Sequence, residues 1–287
     1  MTAGRRWPAW ARLVLHSYRI GLAWLVRGLR GGGWHEPRAG LYRLMVPLEP
    51  WRYYELARVA REPLGGHCLD VSSPKLLASL LQREGRGRWT AVDLLEDEIG
   101  RWRVLDPALD LRVADARALP FADGTFDAIA CVSVIEHVAG DGDSVAMAEM
   151  WRVLRPGGVL HLTTNVAARA GQVRTAQPVY GLEVPAPAGG AGEHGAATAE
   201  GAFFERRYSR ETLDARLLRD AWVEEAREYV RERRPVHARF FAVRPLSFLA
   251  GALLPVFCVG NFVPMADPGE LPEGAFGVVY LRLRRPA

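Results

Sequence analysis

Between residues 67 and 165 the chain alternates strand-length apolar runs with helical stretches, and this alternation constrains the fold more than any other feature. The apolar runs cover residues 67–72, 89–94, 111–116, 126–134 and 159–165, and helical stretches stand between them at 75–83, 96–105 and 143–154. Strand–helix–strand units at this spacing form parallel sheets with helices on both faces, so we predict a doubly wound α/β domain. Closing strands at 222–230 and 276–283 would bring the mostly parallel sheet to seven strands.

A helical extension, residues 1–62, is expected to precede the main domain, residues 63–287. Within it, residues 7–29 mix Trp, Leu and Val with arginines and a histidine, which predicts an amphipathic helix with a basic edge. Such a helix either lies on an anionic membrane surface or packs on the protein's own core with its arginines in solvent. A second helical stretch at 49–61 is expected to cap an edge of the sheet or the mouth of a pocket.

Two later segments interrupt the alternation. Residues 167–201 are rich in Ala, Gly and Pro, and a loop of this length is a lid, a binding loop or a disordered segment. Residues 245–266 form an apolar insert without a charged residue. Its length permits a membrane span, but Pro255 and Pro264 argue against a straight spanning helix. A lipid-facing hairpin and a buried core or dimer element are the other interpretations.

The charge and the cysteine content indicate which partners and which cellular compartment to expect. The formal net charge is +4, and Lys75 is the only lysine. The arginines occur as scattered short pairs and not as a stripe, so we expect no nucleic-acid partner. Cys68, Cys131 and Cys258 each stand in an apolar run without a C-x-x-C pair. They predict free thiols in a cytoplasmic protein, membrane association being left open, and no metal site.

Acidic residues follow three successive strands of the predicted sheet. Ligands of parallel sheets bind at the carboxyl ends of the strands, and these ends carry Asp70, Asp93 and Asp115. A carboxylate at the second end can accept hydrogen bonds from a ribose diol, and one at the third can accept from an adenine amino group. Each aspartate alone could equally cap a helix, but three at successive ends favour a site for an adenosine-containing ligand.

Two longer stretches carry a resemblance to a known family. "VADARALPFADGTFDAIACVSVIEHV" (residues 113–138) and "EMWRVLRPGGVLHLTTN" (residues 149–165) resemble the core of class I methyltransferases that use S-adenosyl-L-methionine (SAM). The similarity is to the broad small-molecule, type 11-like group, and it covers residues 68–165. It implies a Rossmann-like fold, SAM as cofactor and methyl transfer to a small-molecule acceptor. A nucleic-acid methyltransferase is disfavoured, because "SVIEH" stands where an N/D-P-P-Y-like tetrad would follow the fourth strand.

The resemblance also implies roles for individual residues. It places the turn after the first strand near the amino-acid moiety of SAM, the end of the second strand at the ribose, the end of the third at the adenine, and residues 134–137 below the methyl group. The implied cofactor-binding residues are Asp70, Ser72, Ser73, Asp93, Leu94, Asp115, Ala116, Ser133 and Val134.

The first of these turns departs from the family pattern. Where the family has a glycine-rich turn, roughly D-x-G-x-G, this chain has Asp70 followed by Val71, Ser72, Ser73 and Pro74. Serine is small, its hydroxyl can donate to a carboxylate, and a proline suits the first turn of the following helix. We therefore predict that the turn still binds the methionine end of SAM. The alternative is a non-catalytic protein that kept the fold and acts as a membrane-associated partner.

The acceptor side offers fewer signals. His137 is the predicted general base, because an ordinary imidazole pKa of about 6.5 suits proton acceptance near neutrality. A histidine there could instead bond to Glu136 or to backbone. Tyr208, the second predicted catalytic residue, and Arg207 follow the loop at 167–201 and either close over a substrate or begin a helix. Residues 208–219 are predicted to be helical, with Ser209 as the N-cap and Thr212 at the third helical position. The apolar insert suggests a lipophilic acceptor.

Overall fold

The computed structural model describes residues 7–31, 37–176, 201–219, 222–242 and 251–287. The predicted α/β class is confirmed. The helices are α1 (Ala9–Leu29), α2 (Pro37–Met45), α3 (Arg52–Val59), α4 (Leu76–Arg83), α5 (Glu96–Leu105), α6 (Gly142–Val153), α7 (Arg210–Leu217), α8 (Val236–Ala242) and α9 (Leu254–Cys258). The strands are β1 (His67–Val71), β2 (Arg88–Asp93), β3 (Asp110–Val113), β4 (Phe126–Val132), β5 (Leu154–Val166), β6 (Gly171–Thr175), β7 (Ala202–Arg207), β8 (Val223–Glu232), β9 (Phe262–Met265) and β10 (Gly277–Arg284).

The chain divides into two compact units, and each is described by itself. The first unit comprises Met1–Val113 and Glu232–Val263, and the second comprises Ala114–Arg231 and Pro264–Ala287. In the first unit β3, β2 and β1 lie side by side in that order and run parallel. Leu69, Val71 and Ala91 are fully buried, as expected for strands covered on both faces. Helix α5 has the predicted bounds, and three acids in its first turn suit the helix dipole.

The N-terminal helices pack onto this same unit. Helix α1 contacts α2, α3, α4 and α5, so it lies on the protein's own core, as one of the two interpretations of residues 7–29 expected. The α1–α2 contact depends on two glycines. A Cβ atom on Gly40 would stand 2.6 Å from the backbone nitrogen of Leu25 and 2.9 Å from the carbonyl oxygen of Gly21, so a larger residue at position 40 would push the helices apart.

The second unit holds β4, β5, β10 and β8 in that order. Strands β4 and β5 are parallel, and β10 is antiparallel to both of its neighbours. Strand β5 begins at Leu154, five residues before its predicted start. The R-P-G-G segment belongs to it because Gly157 N–H donates to Arg285 O at 2.9 Å and Arg285 N–H donates to Gly158 O at 3.0 Å.

The main sheet has eight strands, one more than predicted. The additional strand is β9, which comes from the predicted apolar insert, residues 245–266. The described part of that insert also contains a 3₁₀ turn, Gly251–Leu253, and helix α9, whereas residues 245–250 lie outside the described residues. Among the helices that the structure describes, none combines the length and the apolar character needed to cross a membrane.

The predicted loop at 167–201 is partly a strand. Strand β6 pairs antiparallel with β7 to form a separate two-stranded sheet, and residues 177–200 lie outside the described residues. The interpretation of Arg207 and Tyr208 as the start of a helix is wrong, because Arg207 belongs to β7 and pairs with Gly171 of β6. The helix begins only at Arg210, where Ser209 and Thr212 form a capping box as predicted: Ser209 Oγ accepts from Thr212 N at 3.3 Å, and Thr212 Oγ1 accepts from Ser209 N at 2.9 Å.

Candidate functional site

In the first unit, the turn after β1 is organised around a buried carboxylate. Asp70 is fully buried, and its Oδ1 accepts a hydrogen bond from Ser73 N at 3.0 Å. Its Oδ2 has no hydrogen-bond partner among the described residues. Burial raises the pKa of Asp70 to about 6, although the positive charge of Lys75 acts in the opposite direction. A buried carboxylate oxygen without a donor is what the amino group of a ligand would satisfy.

Ser72 takes over the conformational role that a glycine would have in this turn. Its φ is +51°, in the left-handed region that non-glycine residues rarely adopt. Ser72 N–H donates to Val92 O at 2.9 Å, which ties the turn to the neighbouring strand β2. The chain therefore makes the sharp change of direction after β1 without a glycine, and strained backbone of this kind clusters at functional sites.

Lys75 and Asp93 form a buried ion pair in the same unit. Lys75 is 2% exposed, and its Nζ donates to Asp93 Oδ2. Asp93 Oδ1 accepts from Leu95 N at 2.9 Å. A carboxylate has about four lone-pair sites on its two oxygens, so these bonds leave one acceptor site on each oxygen. Leu94, next to Asp93, keeps 41% of its surface exposed. Reasoning from the sequence missed this pairing, although the only lysine of the chain directly follows Pro74.

A small pocket of about 190 Å³ lies beside the turn. Pro74 and Leu76 line one side of it, and residues of α2, α3 and the segment between these helices line the rest, including Arg43 and Arg52. The N-terminal helical segment thus forms a wall of a pocket next to the predicted methionine end of the site.

In the second unit, Asp115 is bonded to Arg117. Both carboxylate oxygens accept from the guanidinium, at 2.7–3.1 Å, and Oδ1 also accepts from Arg117 N at 2.8 Å. These hydrogen bonds from Arg117 outweigh partial burial and lower the pKa of Asp115. Asp115 is therefore held as a carboxylate. Ala116 beside it is buried. That the two residues border the adenine stays a prediction.

His137 ends a 3₁₀ turn, Ile135–His137, that follows β4. Ser133 opens this turn with φ +54°, and both Ser133 and Val134 are half-buried. His137 Nδ1 lies 2.8 Å from Phe204 O. Because a carbonyl only accepts, this bond puts the proton of the neutral ring on Nδ1 and the lone pair on Nε2. The expected alternative of a backbone-bonded histidine is thus present at Nδ1, and its tautomer suits proton acceptance at Nε2. The base role stays a prediction.

Tyr208 is fully buried and does not stand at a loop edge. Its hydroxyl donates to Asp143 Oδ2 at 2.9 Å, and burial, with the negative charge of Asp143, raises its pKa well above the usual 10. Arg207 pairs with Glu205, Nε to Oε1, at 3.0 Å. These contacts hold Tyr208 in the interior of the unit, so closure over a substrate would require it to leave Asp143. Its catalytic role stays a prediction.

A row of buried polar side chains stands at the end of β5. Thr164 Oγ1 donates to Glu136 Oε2 at 3.0 Å, and Asn165 Nδ2 donates to Glu205 Oε2 at 3.1 Å. Strand β7 and the 3₁₀ turn that ends at His137 contact each other and β5. In the sequence, "TTN" at the end of a strand indicates this row, since polar residues at such ends are expected to face a ligand.

A buried charge cluster anchors the chain that follows β7. Asp143 is fully buried and accepts hydrogen bonds from the Arg206 and Arg216 guanidinium groups as well as from Tyr208. Burial alone would raise the pKa of Asp143, but the hydrogen bond from Arg216 and the charges of both arginines hold it below its usual range. The described residues contain no group of three or more His, Cys, Asp or Glu able to hold a metal ion.

Comparison with known proteins finds related sequences. The family model described as a methyltransferase domain matches residues 69–162. A ubiquinone/menaquinone biosynthesis C-methyltransferase UbiE of Desulfotalea psychrophila is 34% identical over 130 residues, which cover 42% of this chain and 52% of that protein. A malonyl-[acyl-carrier protein] O-methyltransferase of Erwinia billingiae is 30% identical over 154 residues, which cover 53% of this chain and 57% of that protein. The chain thus spans about half the length of the curated relatives it matches.

The solved structure of a SAM-dependent methyltransferase from Mesorhizobium loti aligns with 82% of this chain and 97% of its own, at a TM-score of 0.47 and 21% identity. The match to the family model over residues 69–162 covers the strands and turns that carry Asp70, Asp93, Asp115 and His137. Residues 69–162 therefore resemble a class I, SAM-dependent methyltransferase domain of the type 11 group.

Proposed function

We propose that this protein transfers a methyl group from SAM to a small, lipophilic acceptor in the cytoplasm. The observation that carries the proposal is the unsatisfied, fully buried Oδ2 of Asp70 in a turn that Ser72 bends without glycine. An amino group is a fitting partner for that oxygen, and SAM carries one at its methionine end. In the same unit, one acceptor site on each oxygen of Asp93 suits the two hydroxyls of a ribose.

The protein's part in such a reaction is mainly alignment. When bound, SAM supplies a methyl group activated by a positively charged sulfur. Asp70, Ser72 and Ser73 would hold its amino-acid end, Asp93 and Leu94 its ribose, and Asp115 and Ala116 its adenine. Ser133 and Val134 would lie below the methyl group. For in-line displacement, the protein must align the acceptor atom with the bond between the methyl group and the sulfur, and it must exclude water. An acceptor that must lose a proton would give it to His137 Nε2.

A lipophilic acceptor is supported by the relatives and by the composition of the chain. Several relatives are named ubiquinone/menaquinone biosynthesis C-methyltransferases or demethylmenaquinone methyltransferases, and these names place them in quinone biosynthesis. This chain contributes a charge-free segment at residues 245–266. A prenylated naphthoquinol is therefore the first acceptor to try, and other apolar small molecules follow.

The test has two parts. Calorimetric titration of the protein with S-adenosylhomocysteine (SAH) should give micromolar binding, and Asp93→Ala should abolish it. Transfer of labelled methyl from SAM to prenylated naphthoquinol, to a short water-soluble naphthoquinol and to malonyl-acyl carrier protein then ranks the acceptors. Preference for the prenylated compound supports the proposal. Binding of SAH with transfer only to the water-soluble compound or to the carrier protein would refute the lipophilic acceptor.

One observation favours a second candidate, a non-catalytic protein with this fold that acts as a membrane-associated partner. Lys75 bonds to the carboxylate that is expected to bind the ribose, and a lysine at this place can replace a ligand as well as support one. Absence of SAH binding by folded protein would favour this candidate, and micromolar binding together with methyl transfer would refute it.

A further inference from the structure

The solvent-facing side of α1 carries a continuous apolar stripe. Leu15, Leu22, Val26 and Leu29 are between 37% and 72% exposed. With 3.6 residues per turn their side chains fall within about 60° of arc, and thus on one face of the helix. Trp7, just before the helix, is 65% exposed. Exposed leucines are ordinary when scattered, but a row along one face marks a surface that meets an apolar partner.

The stripe does not pack on the protein's interior, because α1 buries a different face there. Leu13, Ile20 and Trp24 are buried. His16 Nε2 lies 2.8 Å from Ser79 Oγ, and Ser17 Oγ donates to Pro47 O at 2.6 Å. Buried polar contacts of this kind fix the rotation of the helix about its axis. The stripe is therefore a fixed outer face of the first unit.

The charged residues of α1 itself are all basic. The first 35 residues contain six arginines and no Asp or Glu, so they account for more than the whole formal charge of +4. Within the described part, Arg19 and Arg30 are exposed, and helical geometry puts both about 50–70° to one side of the stripe's centre. An apolar face with a basic edge matches an anionic lipid surface, where the arginines meet headgroups and the leucines meet acyl chains.

The same unit has a second exposed apolar site around α9. Leu253, Val256, Phe257 and Val259 are between 42% and 74% exposed and follow one another within seven residues. This segment is anchored on the end of α2, because a Cβ atom on Gly251 would stand 2.1 Å from Met45 O. Helix α2 also packs against α1. Both apolar sites therefore lie on elements next to α2 in the first unit.

We infer that the first unit docks on an anionic lipid bilayer through the outer face of α1 and the exposed side chains of residues 253–259. The protein lies on the surface and does not span it. A second copy of the chain is a poorer partner for this face, because a two-fold dimer would bring the same arginines of both copies together with no acid on α1 to pair them. Docking would bring the enzyme to acceptors dissolved in the membrane.

Vesicle flotation of the full-length protein, with no cofactor or acceptor present, tests this inference independently of methyl transfer. The vesicles are pure phosphatidylcholine or an equal mixture of phosphatidylcholine and phosphatidylglycerol. We expect at least tenfold stronger partitioning onto the anionic vesicles. The double variant Arg19→Gln with Arg30→Gln should weaken partitioning onto the anionic vesicles about 25-fold at low salt. Each arginine near such a surface raises the partition coefficient about fivefold. Leu22→Gln with Leu29→Gln should weaken it at least tenfold, and Val256→Gln with Phe257→Gln should also weaken it.

The matched control is Val145→Gln with Val223→Gln, which removes two similarly exposed apolar side chains from the second unit. It should leave partitioning unchanged, and circular dichroism should show that every variant is folded. Equal partitioning onto neutral and anionic vesicles, or no partitioning at all, would overturn the inference. So would a wild-type dimer in analytical ultracentrifugation that Leu22→Gln with Leu29→Gln dissociates, since the stripe would then belong to a second copy.

Discussion

Lys75 donates a hydrogen bond to Asp93 inside the first unit, although Lys75 follows the turn after β1 and Asp93 ends β2. Lys75 is the only lysine among 37 basic residues. A lysine carries a compact charge on a flexible stem, whereas an arginine carries a planar, forked group with five donors, so the two are not interchangeable at a buried pair. The pair joins the unusual serine turn to the residue that is expected to hold the ribose.

Replacement of Lys75 by Met should lower the stability and change ligand recognition. The variant leaves Asp93 buried without its cation, which costs about 3–5 kcal/mol of the free energy of unfolding. It also frees the carboxylate to rotate, so the two ribose hydroxyls lose an aligned acceptor. We expect wild-type protein to bind SAH about 10- to 150-fold more tightly than 2′-deoxy-SAH, because a hydrogen bond to a charged group is worth about 1.5–3 kcal/mol. Lys75→Met should abolish most of that preference.

The double variant Lys75→Met/Asp93→Asn controls for instability. It leaves no uncompensated charge, so it should recover much of the lost unfolding free energy in urea titrations while the preference for the ribose hydroxyl stays absent. If Lys75→Met weakened SAH and 2′-deoxy-SAH equally, the lysine would support only the fold. Tighter binding of SAH by Lys75→Met would mean that Lys75 competes with the ribose for Asp93.

The raised pKa of Asp70, about 6, makes SAH binding dependent on pH. An amino group of a ligand needs the ionised carboxylate, and below pH 6 that carboxylate is protonated. The affinity should therefore fall about tenfold per pH unit below about 6 and level off above it. Calorimetry between pH 5 and pH 8 measures this, with Asp70→Asn as the control. The same pH dependence in Asp70→Asn would assign it to another group.

The raised pKa of Asp70 also predicts how the ligand-free protein responds to pH. An acid whose pKa is higher in the folded state binds protons more tightly there, so the free energy of unfolding should decrease as pH rises from about 4 to about 6. The decrease is at most about 3 kcal/mol, from the pKa shift alone. Asp70→Asn should flatten this part of the profile in urea titrations, and an unchanged slope would contradict the assignment.

Asp143 should stabilise the second unit, and its contribution to the free energy of unfolding should depend on pH in the opposite direction to that of Asp70. Its pKa is held below the usual range, so its contribution is present above about pH 4 and is lost as pH falls through the lowered folded-state pKa. Asp143→Asn should cost about 3–5 kcal/mol at pH 7, because Arg206 and Arg216 keep their buried charges.

Asp141→Asn is the matched control for Asp143. Asp141 bonds to the same Arg216, at 3.2 Å, but its side chain is 79% exposed. Thermal unfolding should show little change for this variant, since exposed pairs are worth about 0–1 kcal/mol. Equal losses for the two variants would show that burial does not decide the contribution.

The parts of the fold that the sequence predicts correctly are those that local patterns determine. The alternation of apolar runs located five strands of the sheet and the bounds of α5, and the Ser209–Thr212 capping box was recognisable from two residues three positions apart. The early start of β5 was not recognisable, because the backbone of Gly157 and Gly158 pairs with Arg285, far along the chain. Pairing between distant segments leaves no periodic signal in either one.

In the site, too, local sequence predicts some features, whereas others depend on packing between distant segments. Sequence spacing placed Asp70 and Asp93 at strand ends, but it could not give the left-handed conformation of Ser72 or the bond from Lys75 to Asp93. Both depend on how the turn after β1 packs beside β2. On the acceptor side, the bond between His137 and Phe204 O joins the 3₁₀ turn after β4 to β7, which the sequence did not predict as a strand.

His137 offers a test that separates a base from a structural contact, because its two nitrogens have different tasks. Nδ1 bonds to Phe204 O at 2.8 Å, and Nε2 would accept the proton. In His137→Asn the amide nitrogen can replace Nδ1 but nothing replaces Nε2, whereas His137→Ala loses both. If His137 is the base, Asn should restore thermal stability relative to Ala while both variants lose about 10²–10⁴-fold in kcat for an acceptor that must be deprotonated. SAH affinity should stay within about twofold of the wild type in the Asn variant. If kcat of His137→Asn instead equalled that of the wild type, His137 would have only a structural role, which is to bind β7 through Phe204 O.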